Sequence, residues 1–547
     1  MNTNERKLKS DFIRVYSRLN SKMIILGIGG ILGDAACAAL KDGELVAAVE
    51  EAKLSRLGAS PARGGELPAQ SIATCLELAG AGPGDVDAVA VVRPLPDHEF
   101  HLKLRAQFPN SRILIVEHHL AHAASAYYPS PFDEATVLAL DRGGDFRCGT
   151  LWRASGTTLA IEQEQYLSDS IGDLHSRVTE LLGFHAQADE HKVQWLSVTG
   201  DGRFRSLFLE ILCPGDSGPR IDRSFYSGER VRHGSFSSRF YERLGLKDGE
   251  PIPESLRPHI AAGVQRAAED TAIRMAGTGR NLCLAGGLGL NSLLVAALEA
   301  RSGFENVFVQ PAAGNGGTAI GAVLDTWHGA FRQTRRVALQ TLCLGPAFGA
   351  GEIKQVLENC KLRFRYLVTS DEIVRNTVEQ LNDNKIVAWM HGRMEFGARA
   401  LGNRSILASP LNPYSTENLN IFIKHREPFR KFAASVPAEL CSEYFEAGPN
   451  ARYLATVGRI HPQYRERFAA AILADDLVRV HAVDCNENPL YWKLLHAAGE
   501  ATGLPVLYNT SFNLFGEPLV CTPRDAVRSF YSSGIDAMSV GNFFLQK

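Results

Sequence analysis

Apolar positions recur along this chain in short runs that end at glycine, the pattern of strands buried on both faces rather than of half-exposed ones. Met23–Gly30 (MIILGIGG) is the first such run. Asp34 follows it, and then two more strand-like runs, CAAL and LVAAVE, flank a KDG turn. Ser71–Ala81 reads as a helix, Val86–Val92 as a strand, and Ile113–Tyr128 as a buried strand feeding a helix. Val137–Asp141 (VLALD) then repeats the opening plan: a buried strand ends on an aspartate, a glycine turn follows, and the chain returns through RCGTLW. Further on, Ile260–Ala276 has helical periodicity. Asn281–Asn291 (NLCLAGGLGLN) is a strand that opens into Gly286, Gly287 and Gly289, with Asn291 starting a helix. Val307–Leu324 does the same around Gly314 and Asn315. Glycines at such turns let a backbone lie against a nucleotide.

The strand-Asp-glycine units at 24–50 and 137–152 predict a duplicated β-meander. Such a duplication marks the actin-like, ribonuclease-H-like α/β fold, whose two halves close over a nucleotide. At 547 residues the chain exceeds one compact core. The segment TRRVALQTLCLGPAFGAGE reads as a connection, which places a boundary near residue 350. The expected division is an N-terminal extension over 1–22, the duplicated domain over 23–350, and a second α/β domain over 351–547.

Charge narrows the function. With 58 Lys and Arg against 60 Asp and Glu, bulk electrostatics argue against a nucleic-acid or membrane-surface protein. No apolar run reaches the ~18 residues of a membrane span. The ten cysteines form no CxxC pair, so neither a zinc ribbon nor a disulfide framework is indicated, and a reducing cytoplasm is expected.

Two constellations carry candidate chemistry. His118 and His122 lie four apart on one helix, hence on one face, and Asp141 ends the next strand. Two imidazoles and a carboxylate suit Fe(II), with Zn or Mn as alternatives. The second is His391–Leu407 (HGRMEFGARALGNRSIL), where Arg393, Arg399 and Arg404 alternate with Gly392, Gly397 and Gly402 among apolar residues that hold the guanidinium groups in place. IKHREPFRKF adds Lys424, Arg426 and Arg430, and NTSFN adds Asn509, Thr510, Ser511 and Asn513. Together they read as an anion site. DEHKVQWLS, with Glu190 and Lys192, is as readily a surface helix start.

GRMEFGARALGNRSIL, IKHREPFRKFAASV, NTSFNLFGEPLVCTPRDA, VEHHLAHAASAYY, LAGGLGLN and VQPAAGNGG resemble the NodU/CmcH carbamoyltransferases. The resemblance implies an actin-like domain followed by a YrdC-like domain that makes carbamoyl adenylate from ATP and carbamoyl phosphate. The actin-like domain would pass the carbamoyl group to an acceptor hydroxyl beside a divalent metal. It implies Arg399, Arg404 and Lys424 as carbamoyl-phosphate and ATP ligands, joined by Arg430, Asn509 and Ser511, with His118, His122 and Asp141 on the metal; Arg393 is a binding candidate from the arginine stretch itself. Two positions depart from the family pattern: Gly33 stands where a histidine precedes the aspartate, and Asn315 where the fourth metal ligand is an aspartate. Asp34 is retained, and His119 is an alternative base. The expected substrates are carbamoyl phosphate, Mg-ATP and a small hydroxylated metabolite, with a homodimer allowed and no nucleic acid or membrane. A nucleotide-binding regulatory homologue is the alternative reading, and a sugar or acetate kinase a third.

Overall fold

Two five-stranded sheets repeat one plan. In the first, β1 (Ile24–Gly29) pairs antiparallel with β2 (Ala36–Lys41), which pairs antiparallel with β3 (Glu44–Glu50). On its other side β1 pairs parallel with β4 (Ala88–Val92), and β4 with β5 (Arg112–Val116). In the second, β6 (Glu134–Gly144), β7 (Arg147–Ser155) and β8 (Thr158–Tyr166) form the antiparallel meander. The hairpin β9 (Leu212–Gly215) and β10 (Gly218–Ile221) stands apart, and β11 (Thr278–Ala285) and β12 (Gly303–Val309) extend the sheet in parallel. The strand orders, 3-2-1-4-5 and 8-7-6-11-12, are the same arrangement twice, so the first domain is the duplicated actin-like fold. The computed structural model describes residues 23–547 except 58–65, 96, 216–217 and 229–232; the expected extension over 1–22 lies outside the described residues.

β1 and β2 are buried along their length, which explains their unbroken apolar runs. β8 is the opposite case. An edge strand with mostly exposed side chains, it reads TLAIEQEQY, whose polar content carries no buried-strand pattern, so the second meander extends beyond the expected limit at 152. Between the sheets lie the His118–Tyr127 and Thr318–Asp325 helices, one from each half. They touch backbone to backbone at Gly321, where a Cβ would sit 1.7 Å from the Ala121 carbonyl oxygen. Ile25, Ala38, Tyr127, Val137, Trp152, Ile320 and Val323 fill the surrounding core. Helices inserted between β8 and β11, among them Glu190–Ser197 and Arg257–Ala276, form their own core around Leu174, Phe208, Phe240 and Val264.

The chain then runs without regular structure to a helix at Ala350–Asn359, strapped to the first domain by Arg336, whose guanidinium lies 4.2 Å over the Tyr127 ring. Ten further strands make one mixed sheet: β13 (Arg365–Tyr366), β14 (Val387–Met390), β15 (Arg404–Ala408), β16 (Ala433–Pro437), β17 (Phe445–Glu446), β18 (Val457–Ile460), β19 (Leu477–Val483), β20 (Leu507–Ser511), β21 (Ala537–Val540) and β22 (Phe543–Gln546). Among the described residues no helix is long and apolar enough to cross a membrane.

Candidate active site at the domain junction

Strand β5 delivers its chain directly into the His118–Tyr127 helix, and β6 ends beside it, which brings His118, His122 and Asp141 together. Asp141 Oδ2 lies 2.9 Å from His118 Nε2 and 3.2 Å from His122 Nε2, and the two imidazole nitrogens are 3.1 Å apart. All three residues are buried. Burial alone would raise the Asp141 carboxyl, but hydrogen bonds from both histidines overcome it and hold it well below the usual carboxylate range. The backbone is shaped to this cluster: a Cβ at Gly144 would fall 2.2 Å from the His118 ring, and one at Gly287 2.9 Å from Asp141 Oδ1. Asn315 lies against His122, and its Oδ1 is enclosed without a hydrogen-bond partner.

Three converging electron-pair donors with at most a proton or two among them, plus an orphaned amide oxygen, form a donor set that fits a divalent cation. His119 is placed differently. It is fully buried, its Nδ1 is 3.3 Å from Thr150 Oγ1, and burial followed by the neighbouring histidines drops its pKa to about 3. Its imidazole is enclosed and lines no part of the cavity between the domains.

A cavity of about 360 Å³ lies between the two domains. The first domain lines it with Asp34, Gly314 and Asn315, and the second with Arg399, Ser511 and Asn513. Asp34 is raised above the usual carboxylate value by its enclosed position first and by Asp141 second. At Gly33 a Cβ would meet nothing within 4 Å, so the missing side chain leaves open space beside Asp34.

The arginine stretch is clamped across the domain boundary. Lys53 donates to the Glu395 and Gly397 carbonyls at 2.9 Å, and Glu50 accepts from Gly397 N–H at 2.7 Å. Within the stretch, Glu395 Oε1 accepts from the amides of Leu401, Asn403 and Arg404, fixing the turn that carries Arg399. Arg399 reaches back to the first domain, donating to Leu290 O at 2.7 Å and Ser292 Oγ at 3.3 Å.

The predicted anion ligands divide into two groups. Arg393 spends its N–H groups on the carbonyls of Gly345, Val46 and Leu344. Arg404 is fully buried and donates to the carbonyls of His391, Gly392, Asn403 and Pro346. Neither lines the cavity, and both act here as staples of the turn. Asn509 likewise donates to Ala400 O, and Asn291 caps the Ser292–Arg301 helix while pairing with Gln265. Gly286 sits at positive φ under the Leu140 carbonyl, where any Cβ would clash.

Arg399, Lys424 and Arg430 do come together, with Arg426 and a fourth arginine that the sequence reading missed, Arg479. Burial and then Arg430 hold Arg399 at about 10 and Arg426 at about 9. Burial, then Arg399, Arg426 and Arg430, depress Arg479 well below its ordinary value. Lys424 is lowered by burial and by Arg426 and Arg430, and its Nζ donates to Asn513 Oδ1 at 2.7 Å and Asn513 O at 3.0 Å. Two of the guanidinium groups rest on rings instead of carboxylates: Arg426 lies 4.2 Å over Phe432, and Arg479 5.1 Å over Trp195. Their Nη2 and Nε, respectively, are enclosed without a partner. Among the described residues no carboxylate is in ion-pair range of Arg399, Arg426 or Arg479. Glu427, 3.8 Å from Arg430, leaves most of the cluster's charge uncompensated, a composition that suits a polyanion.

The family model described as Carbamoyltransferase N-terminus matches residues 98–324, and that described as Carbamoyltransferase C-terminus matches 378–547. An uncharacterized protein of Synechocystis sp. is 33% identical over 96% of both chains. Nodulation protein NolNO of Sinorhizobium fredii is 32% identical over 94% of this chain and 79% of its own. Nodulation protein NolO of Bradyrhizobium diazoefficiens is 32% identical over 79% of each. With both halves of the chain matched, the protein belongs to the carbamoyltransferase family.

Proposed function

We propose that the second domain, read as YrdC-like, activates carbamoyl phosphate with Mg-ATP, and that the duplicated domain transfers the carbamoyl group to a hydroxyl of a small metabolite. Carbamoyl phosphate loses its phosphate by hydrolysis, the carbamate oxygen attacks the α-phosphorus of ATP, and pyrophosphate leaves. The acceptor oxygen then attacks the carbamoyl carbon and AMP departs. The observation that carries this reading is the single cavity lined by Asp34 and Asn315 on one side and by Arg399, Ser511 and Asn513 on the other. An intermediate made beside Arg399 would reach the Asp34 and Asn315 side through this one cavity, without passing fully into bulk solvent.

In this scheme Arg399, Arg426, Arg430 and Arg479 bind the phosphates and neutralise charge on the leaving pyrophosphate, so adenylation is chiefly positioning and electrostatics. Lys424, with its lowered pKa, gains a proton-stabilising partner when the anion arrives. Arg393, Arg404 and Asn509 hold the turn. His118, His122 and Asp141, with Asn315 Oδ1 as a neutral fourth ligand, would hold Fe(II), Zn or Mn, which supplies Lewis acidity toward the carbamoyl group. Asp34, whose raised pKa makes it a stronger base than an ordinary carboxylate, accepts the acceptor's hydroxyl proton at its carboxylate oxygens.

Gly33 and Asn315 favour a second reading, a homologue that adenylates but does not transfer. Incubating the purified protein with labelled carbamoyl phosphate, ATP and a panel of hydroxylated acceptors separates the two. Acceptor-dependent AMP release with label on the acceptor supports transfer. Carbamoyl adenylate without any labelled acceptor, unrelieved in the Gly33→His, Asn315→Asp double variant, counts against it.

A further inference from the structure

Arg479 lies on β19 of the second domain, but the ring beneath it comes from the first. Trp195 sits on the Glu190–Ser197 helix of the inserted subdomain and is 4% exposed. Around it, Leu293 and Ala296 from the first domain meet Val457, Leu473, Leu477 and Phe429 from the second. Phe429 immediately precedes Arg430. The same face of that helix carries Lys192, three residues before Trp195, which bridges Asp189 at 3.2 Å and Glu427 at 3.1 Å. Next to it, His191 is held at about pKa 4 by burial first and by Arg430 second. One short helix of the duplicated domain therefore touches the arginine-bearing face of the other domain at three points.

An arginine with no carboxylate, an enclosed unpartnered Nε, and three like charges nearby would swing away from its neighbours unless something else fixed it. The indole face is what the structure offers, since a planar guanidinium stacks on it without neutralising the charge that a phosphate needs. We infer that Trp195 is a positioning residue for adenylation: the transfer domain completes the phosphate site of the activating domain by holding Arg479 in place. This rests on the polyanion reading of the arginine cluster given above.

Calorimetric titration of the full chain with inorganic pyrophosphate tests both layers separately. Wild-type protein that fails to bind pyrophosphate overturns the polyanion reading itself. If it binds, Trp195→Leu, which fills the space without a π face, should weaken binding about 5- to 30-fold, while Trp195→Phe stays within about threefold. In carbamoyl-phosphate-dependent exchange, kcat/KM for ATP should fall by at least the same factor in Trp195→Leu and recover in Trp195→Phe, a rescue that general misfolding does not produce. Equal pyrophosphate affinity in wild type and Trp195→Leu overturns the inference. Should Trp195→Leu not fold, Arg479→Lys takes its place. It keeps the charge but not the stacking plane, so a loss of similar size is expected, and Trp195→Phe should then cost less than about twofold more in that background. Undiminished binding by Arg479→Lys overturns the inference as surely.

Discussion

Replacing Arg479 by methionine should stabilise the protein while destroying its affinity for phosphates. The structure sets the magnitudes. Arg479 has no counter-charge among the described residues, and its Nε is enclosed without a partner, a condition that costs about 1–3 kcal/mol. Replacing buried ionic groups by packed apolar side chains of similar volume gains about 1–4 kcal/mol, and the half-buried Arg479 falls in the lower part of that range. Against this stands the lost contact with Trp195, about 0.5–2 kcal/mol. The unpartnered Nε is part of that gain, so the balance is a variant more stable by about 1 kcal/mol in the absence of ligand. Because a chain of several domains does not unfold in two states, the comparison is between thermal midpoints at fixed scan rate and low salt, with and without pyrophosphate. Wild-type protein should gain from pyrophosphate, about 2.7 kcal/mol at a hundredfold excess over Kd, and Arg479→Met should gain almost nothing. A variant that melts earlier than wild type yet keeps its pyrophosphate shift would mean that Arg479 is an ordinary structural arginine, and the polyanion argument would fail.

Gly144→Ala places a methyl group 2.2 Å from the His118 ring and should abolish metal binding, read as metal content after dialysis, with a loss of about 1–3 kcal/mol from overpacking. Lys53→Met removes the donor to the Glu395 and Gly397 carbonyls and strands Glu50, so pyrophosphate affinity should fall by roughly tenfold through Arg399 although Lys53 belongs to the other domain. Glu299, raised above 4.5 by burial, accepts from Asn450 Nδ2 at 2.7 Å and from Thr456 Oγ1 across the domain boundary. A raised carboxyl favours the folded state below 4.5 and loses that contribution as pH climbs through its folded value. The melting midpoint of wild type should therefore decline over that window, and Glu299→Gln should flatten the decline.

How much of this could be read from the chain follows from burial. β1, β2, β4 and β6 are enclosed on both faces, so their apolar runs and glycine ends were legible, and with them the duplication. β8 is an exposed edge, and TLAIEQEQY carries no such mark. The histidine cluster was legible because its spacing is local: two histidines one helical turn apart and the end of the adjoining strand. The arginines were legible as a group but not as individuals. Arg393 and Arg404 stand in the same stretch as Arg399 and have the same chemistry, yet their partners are carbonyls at positions such as Gly345, Val46 and Pro346, which only the fold brings near. Arg479 left a faint trace, a charged residue between Val478 and Val480 in a mostly apolar strand. Its partner Trp195 lies far away in sequence, on a helix whose polar face looked like plain surface.

The most direct test of the account is exchange of labelled pyrophosphate into ATP by the purified protein, with carbamoyl phosphate present and no acceptor. The account predicts exchange that requires carbamoyl phosphate and disappears in Arg479→Met. Pyrophosphate binding without any carbamoyl-phosphate-dependent exchange would contradict it.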